Sequence, residues 1–182
     1  MSAIREIADG KLHDIVYGVM SKYHPDLKSA GIKVTVFLVK FISRSGEILD
    51  NEPVLKSNGH GASATIRRAS KSELQLGSGD VIIEIDSFVW REHLREKSRV
   101  ALIDHELCHI GLRRNKNGKI RMNPNGRPAI ELIHHDIEIG LFYDVVKRHG
   151  KDSIEIMLSN SMFVGIHKAM GIFEDNKNNN FT

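Results

Sequence analysis

The sequence predicts an α+β fold, and three observations support it. A helical stripe opens the chain, β-branched segments follow, and the second half has mostly helical periodicity. Strands segregated from helices favour α+β over a doubly wound parallel sheet. The 182 residues, 41% of them hydrophobic, can bury a core without disulfides, and the single cysteine, Cys108, excludes a disulfide framework. We expect one domain over residues 1–173 and a disordered tail over 174–182.

Hydrophobic periodicity, together with turn and capping residues, predicts the elements in order. A helical stripe over 4–23 is stopped by His24-Pro25. The predicted strands are 32–42, 62–68 and 80–86, with a loop over 46–61 before the second. The later predicted helices are 87–96, 98–112, 128–149 and 151–170, with a polar loop over 113–128 before the third. The sequence shows no internal repeat.

Charge and hydropathy exclude several classes of protein. The chain has 26 basic and 23 acidic residues, a net charge of +3, so most of its charge serves solubility. It contains no apolar run of about 18 residues and begins without a signal-peptide core, so we expect a cytoplasmic protein with no membrane partner. The 113–128 loop is basic, which suits an acidic substrate, a nucleic acid or simple solvation. Its basic residues are Arg113, Arg114, Lys116, Lys119, Arg121 and Arg127.

The segment 101–112 carries the most specific chemical signal, a His105-Glu106-x-x-His109 motif. On a helix, residues four apart are offset by about 40°, so both imidazoles project from one face and can hold a divalent metal, most often zinc. Glu106 lies where its carboxylate reaches a metal-bound water, as the general base of a metal-assisted hydrolysis does. Asp104 either orients a histidine or satisfies the helix N-terminus, and the sequence does not separate these roles.

A catalytic zinc site takes three protein ligands and leaves one position open, so a third ligand is needed. The segment 133–138 offers His134, His135 and Glu138. His135 and Glu138 are three apart and share a helix face, whereas His134 points about 100° away. Either histidine suits the ligand role, and Glu138 suits either ligation or the acceptance of a ligand N–H.

These segments resemble the putative phage metallopeptidases, compact zincin-type proteins that are broadly similar to SprT-like peptidases. The resemblance covers residues 32–150 and is most specific in Asp-His-Glu-Leu-Cys-His and in the later His-Asp-x-Glu run. It implies a small sheet packed on an active-site helix, zinc bound by His105, His109 and His135, and Glu106 as catalytic base. The family's run continues with Glu and Phe where this chain has Ile139 and Gly140, so no role passes to a second glutamate.

The resemblance and the motif together predict a zinc-dependent metallopeptidase acting on a peptide or protein, in the host cytoplasm if the chain is phage-encoded. The resemblance also implies that the strand at 80–86 lines the cleft and offers its edge to an extended substrate. Three alternatives share the same residues: an amidase-like zinc hydrolase, a nucleic-acid-associated SprT-like protease, and an inactive zinc-binding module. The intact Glu106 argues against the last, because a structural site needs no base.

Overall fold

The computed structural model of the chain describes residues 2–49, 51–57, 60–134, 142–154 and 156–157. The described strands are β1 (Ser2–Ile7), β2 (Val34–Ile42), β3 (Ile48–Leu49), β4 (Lys56–Ser57), β5 (His60–Gly61), β6 (Ala64–Arg68), β7 (Val81–Asp86), β8 (Ile110–Leu112) and β9 (Ile130–Leu132). The described α-helices are α1 (Gly10–Tyr23), α2 (Pro25–Ser29), α3 (Lys71–Gln75), α4 (Glu96–Cys108) and α5 (Tyr143–His149). This mixture of a small sheet with several helices confirms the α+β prediction.

The main sheet has the strand order β1–β2–β7–β6, with β3 paired to β2. β2 and β7 run parallel, and the other pairs are antiparallel. Every residue of β7 is buried, as expected for a central strand covered on both faces. Both edges of β7 are paired, so the expectation that this strand offers an edge to a substrate is wrong. β6 is the terminal strand of the sheet among the described residues.

The helical layer consists mainly of α1 and α4, which pack together on one face of the sheet. Their fully buried side chains meet Val36 and Ile83 of the central strands in one cluster. Burying a large aliphatic side chain contributes about 1.5–3 kcal/mol, so this cluster fixes α4 against the sheet. The helix residues involved are Val16, Met20, Leu102, Ile103 and Leu107.

The predicted helix over 4–23 is wrong in its first part. Residues Ser2–Ile7 form β1, antiparallel to β2, and the helix begins only at Gly10. Asp9 caps α1, because its Oδ1 accepts a hydrogen bond from the Leu12 N–H at 3.0 Å. The apolar spacing of this segment suits either conformation, and pairing with β2 supplies backbone hydrogen bonds that local periodicity does not reveal.

The region after α4 also differs from prediction. The helix expected over 98–112 ends at Cys108, and its expected last residues instead form β8, which pairs with β9. β9 lies where the helix over 128–149 was expected to begin. Isolated bridges Arg114–Ile120 and Met122–Pro128 pair the middle of the intervening segment with each of its two sides. We call residues 110–132 the β arm. Pro128 pairs within the arm instead of opening a helix.

Two similar turns shape the β arm. The Asn115 side-chain oxygen accepts from the N–H groups of Asn117 and Lys119, at 2.9 and 3.0 Å. Asn123 makes the same two bonds to Asn125 and Arg127, at 2.9 and 3.0 Å. Each turn ends in a glycine with positive φ, Gly118 and Gly126. The short Asn-x-Asn-Gly motif therefore recurs after eight residues.

The remaining predicted helices are found only in part among the described residues. α5 stops at Gly150, whose φ is 53°, as expected for a glycine at a helix C-terminus. The short helix expected over 87–96 is a single π-helical turn, Val89–His93. Of the last predicted helix, residues 154, 156 and 157 are helical, and residues 158–182, including the expected tail, lie outside the described residues. None of the described helices has the length and apolar character needed to cross a bilayer.

Candidate metal centre

The His-Glu-x-x-His motif lies on the last turn of α4, where the helix leaves the core. Glu106 is buried at 4% exposure, while His105 and His109 are partly exposed. His109 follows the last helical residue and keeps right-handed helical angles, φ −71° and ψ −8°. The motif therefore places one buried carboxylate beside two imidazoles that reach the surface.

The two imidazoles lie together under one aromatic ring. The ring centroids of His105 and His109 are 5.1 Å apart, with an interplanar angle of 77°. Phe142, at the start of α5, packs edge-on against both, with centroid distances of 5.1 and 4.7 Å. This aromatic contact shields the histidine pair from solvent on one side and restricts the ring orientations.

A hydrogen bond fixes the tautomer of His109. Its Nδ1 lies 2.7 Å from the carbonyl oxygen of Ile133, which can only accept, so Nδ1 carries the proton. The Ile133 N–H in turn donates to the His109 carbonyl at 2.8 Å. Nε2 of His109 is then the unprotonated nitrogen that a metal requires. A backbone carbonyl bound to the far nitrogen is the usual partner of a metal-ligating histidine.

The donor set of this site fits a divalent ion. Two imidazoles one helical turn apart suit zinc and related metals. The residues that could hold the ion are His105 and His109, with Glu106 beside them.

The third ligand predicted from sequence is not among the described residues. His135 and Glu138 both lie outside them. His134 is described and exposed, and it does not form a close group of ligand atoms with His105 and His109. Ile133, two positions before His135 in the sequence, makes two hydrogen bonds to His109.

Asp104, the residue before the motif, organises a buried polar cluster. Its carboxylate, which has no exposed surface, accepts from Nε2 of His24 and of His149, each at 2.7 Å. Arg148 adds two bonds, from Nε at 2.8 Å and Nη2 at 2.9 Å. Burial opposes ionisation, but the hydrogen bonds from His24, Arg148 and His149 prevail and lower the pKa of Asp104 to about 2.

This cluster resolves the role of Asp104 that the sequence left open. It orients two histidines, but neither belongs to the predicted metal set. His24, Asp104 and Cys108 hold their ligand atoms within 4.8 Å of one another, which is close enough for an ion. The Arg148 guanidinium already occupies the Asp104 carboxylate and lies 3.6 Å from the Cys108 sulfur, so this cluster binds a cationic side chain instead. It ties α1 and α5 to the motif helix.

No sequence pattern marks the partners of Asp104, because His24 and Arg148 are distant along the chain. His149, one of the side chains considered from sequence for stabilising an oxyanion, is bound to Asp104 and packs edge-on against Tyr23 at 5.5 Å. It therefore belongs to this cluster. The side chain of Tyr143, another such residue, is not among the described ones.

A mixed sheet with a buried helix that presents two histidines and a glutamate is the arrangement of a metallopeptidase built on this helical motif. The chain belongs to the family described as putative phage metallopeptidase, whose model matches residues 5–161. Membership implies a peptidase that uses a metal ion. No curated protein matches the chain, and no solved structure matches it.

Proposed function

We propose that this protein is a zinc-dependent peptidase in which His105, His109 and His135 bind the ion and Glu106 is the general base. The observation that carries the proposal is the hydrogen bond from His109 Nδ1 to the Ile133 carbonyl, which leaves Nε2 to face a metal. Ile133 is two positions before His135 in the sequence. A catalytic rather than structural zinc is supported by the buried glutamate next to the first histidine.

In this proposal zinc, when bound, polarises the scissile carbonyl and makes water acidic enough to react near neutral pH. Glu106 accepts a proton from the attacking water and delivers it to the leaving amine. Its burial keeps the carboxylate from bulk water, so the proton is exchanged within the site. His109 is held in the ligating tautomer by Ile133, and Phe142 limits the movement of both imidazoles.

The substrate we propose is an extended peptide, which would add to β6 at the end of the sheet. β6 pairs only with β7 among the described residues, and antiparallel addition to such an edge is a common mode of peptide binding. Backbone hydrogen bonds along the edge would align the scissile bond without demanding particular side chains.

The proposal is tested with purified protein, an unfolded protein substrate and mass spectrometry of the products. We expect cleavage when the protein is loaded with zinc, loss of cleavage in a chelator, and recovery on adding zinc. Metal analysis should find about one zinc per chain. A chain that takes up no zinc contradicts the metal assignment. A zinc-loaded chain that cleaves small amides but no peptides would favour an amidase-like hydrolase instead.

A further inference from the structure

The β arm concentrates the positive charge of the molecule. Residues 110–132 contain six basic side chains and one acidic one, a net charge of +5 in a chain whose total is +3. All other residues together therefore sum to −2. Such separation of charge has an electrostatic cost, because like charges in one short segment repel one another. It is typical of a surface that meets a polyanion.

Five of the six cations project into solvent. Arg127 is turned inward and forms an ion pair with Asp80. Arg113 reaches Glu131 at 3.3 Å, and Arg114 donates to the Gly118 carbonyl at 3.0 Å, contacts that leave both side chains largely exposed. The five exposed cations are Arg113, Arg114, Lys116, Lys119 and Arg121.

The backbone beneath these side chains is well ordered by hydrogen bonds. The Arg121 N–H donates to the Arg113 carbonyl at 2.8 Å, so the two arginines are opposite one another on paired strands. The Asn115 turn connects two of the paired segments of the arm. The Arg127–Asp80 ion pair attaches the arm to the residue before β7. Because these hydrogen bonds already fix its backbone, the β arm loses little backbone entropy when it binds a partner.

The cationic surface continues into a neighbouring cleft. A cavity of about 610 Å³ lies between the second turn of the arm and the segment that joins α3 to β7. Its lining includes Lys33, Lys71 and the turn residue Asn125. Both lysines are exposed, so they add positive charge to the surface beside the second turn.

We propose that the β arm binds the phosphate backbone of double-stranded DNA. Magnitudes favour DNA over an acidic peptide, because an exposed ion pair contributes only about 0–1 kcal/mol, whereas a duplex carries one charge per about 1.7 Å and releases condensed counterions when phosphates are neutralised. Arginine matches phosphate geometry through two parallel N–H bonds.

The experiment measures binding of the full chain to a fluorescein-labelled 24-base-pair duplex by anisotropy, over a range of salt concentrations. If all five cations neutralise phosphates, the slope of log K against log salt is about −4.5, so affinity falls about 500-fold between 50 and 200 mM salt. The test variant replaces all five exposed cations of the arm by glutamine. The matched control replaces five exposed cations elsewhere: Lys11, Lys28, Arg95, Lys97 and Lys147.

We expect the arm variant to lose most of the affinity and most of the salt slope, and the control to keep both. A smaller variant, Lys116→Gln with Lys119→Gln, lies at the exposed turn and should lower the slope by about 2 without affecting the fold. Retention of wild-type affinity and slope by the arm variant overturns the proposal, as does an equal loss in the control. Equal affinity for a 24-residue polyglutamate peptide, lost in the arm variant, would assign the arm to acidic proteins instead.

DNA binding by the arm does not depend on the proposed peptidase activity. Glu106→Gln should bind the duplex as the wild type does, with and without zinc, because Glu106 lies on α4 and not in the arm. Failure of the peptidase assay with intact duplex binding therefore contradicts only the proposed catalysis. The reverse result contradicts only the proposed role of the arm.

Discussion

Nδ1 of His109 and the carbonyl oxygen of Ile133 are 2.7 Å apart, although the two residues are 24 positions apart in sequence. This bond joins the end of the motif helix to the segment predicted to supply the third ligand. It also decides which nitrogen of His109 would face the proposed metal ion. The geometry on the described side of the centre is therefore set by a backbone atom, which no side-chain substitution removes.

The first prediction concerns the third ligand. We expect His135→Ala to lose zinc at micromolar concentrations, and His134→Ala, its neighbour and matched control, to keep it. Removing a true ligand weakens zinc binding by far more than the 10–100-fold that outer partners typically contribute. Metal analysis after dialysis measures the difference. The reverse result would transfer the role to His134, and retention in both variants would point to Glu138.

The second prediction separates the base from the ligands. Glu106→Gln keeps the shape of the side chain and removes its capacity to accept a proton, so hydrolysis should fall by at least about 100-fold while zinc content stays close to one per chain. Product formation and metal content are measured on the same sample. Loss of zinc in this variant would make Glu106 a ligand, and full activity would exclude it as the base.

The third prediction tests the cluster around Asp104. Asp104→Ala leaves Arg148 without its buried carboxylate, and we expect the free energy of unfolding to fall by about 3–5 kcal/mol. Asp144→Ala is the control, because Asp144 lies 4.0 Å from the same guanidinium but is 71% exposed, and it should change stability by less than about 1 kcal/mol. Urea unfolding in a chelator measures both. Equal effects would show that burial of the pair contributes nothing.

The fourth prediction is a pH dependence with a defined sign. The pKa of Asp104 falls from an ordinary 3.8 to about 2 in the folded protein, so its contribution to stability is fully present above pH 4 and is lost as the pH falls toward 2. The stability advantage of the wild type over Asp104→Asn in urea should therefore shrink from pH 4 to pH 2. A constant difference would contradict the lowered pKa.

The fifth prediction compares two glycines. A Cβ at Gly79 would lie 2.5 Å from the carbonyl oxygen of Lys33, so Gly79→Ala must separate the paired ends of β2 and β7 and should cost about 1–3 kcal/mol. Gly18 lies within α1 with open space at the same position, and Gly18→Ala should stabilise the protein by about 0.5–1 kcal/mol. Thermal unfolding distinguishes opposite signs. If Gly79→Ala leaves the stability unchanged, the backbones at Gly79 and Lys33 can separate at no cost in free energy.

Local signals in the sequence predicted the central strands and the motif helix. The run over 80–86 is apolar throughout except for Glu84 and the terminal acids, and it became the buried strand β7. The helix that carries His105 and Glu106 was expected from its apolar flanks, and it forms over Glu96–Cys108. In both cases the pattern within a few residues was enough, because burial on both faces demands apolar side chains.

The parts that the sequence did not predict depend on distant partners. Ser2–Ile7 is a strand because it forms an antiparallel ladder with β2. Nothing in the sequence of the segment itself indicates this distant partner. The sequence predicts a loop over 113–128, most of the β arm, because this stretch is polar and rich in turn residues. The Asn115 and Asn123 turns are nevertheless what allow its segments to pair. The binding of Asp104 to Arg148 spans 44 positions, beyond any local pattern.

The closed base of the β arm has a consequence for how this scaffold tolerates change. Residues 110–112 pair with 130–132, and this pairing closes the chain between them before any metal binds. The entropy lost in closing that chain therefore does not weaken metal binding at the proposed centre. Each doubling of the length of a flexible loop raises the free-energy cost of closing it by only about 0.6 kcal/mol. The stretch from 113 to 129 can therefore be shortened, lengthened or exchanged as a cassette, giving the same hydrolytic centre a different surface for recognition.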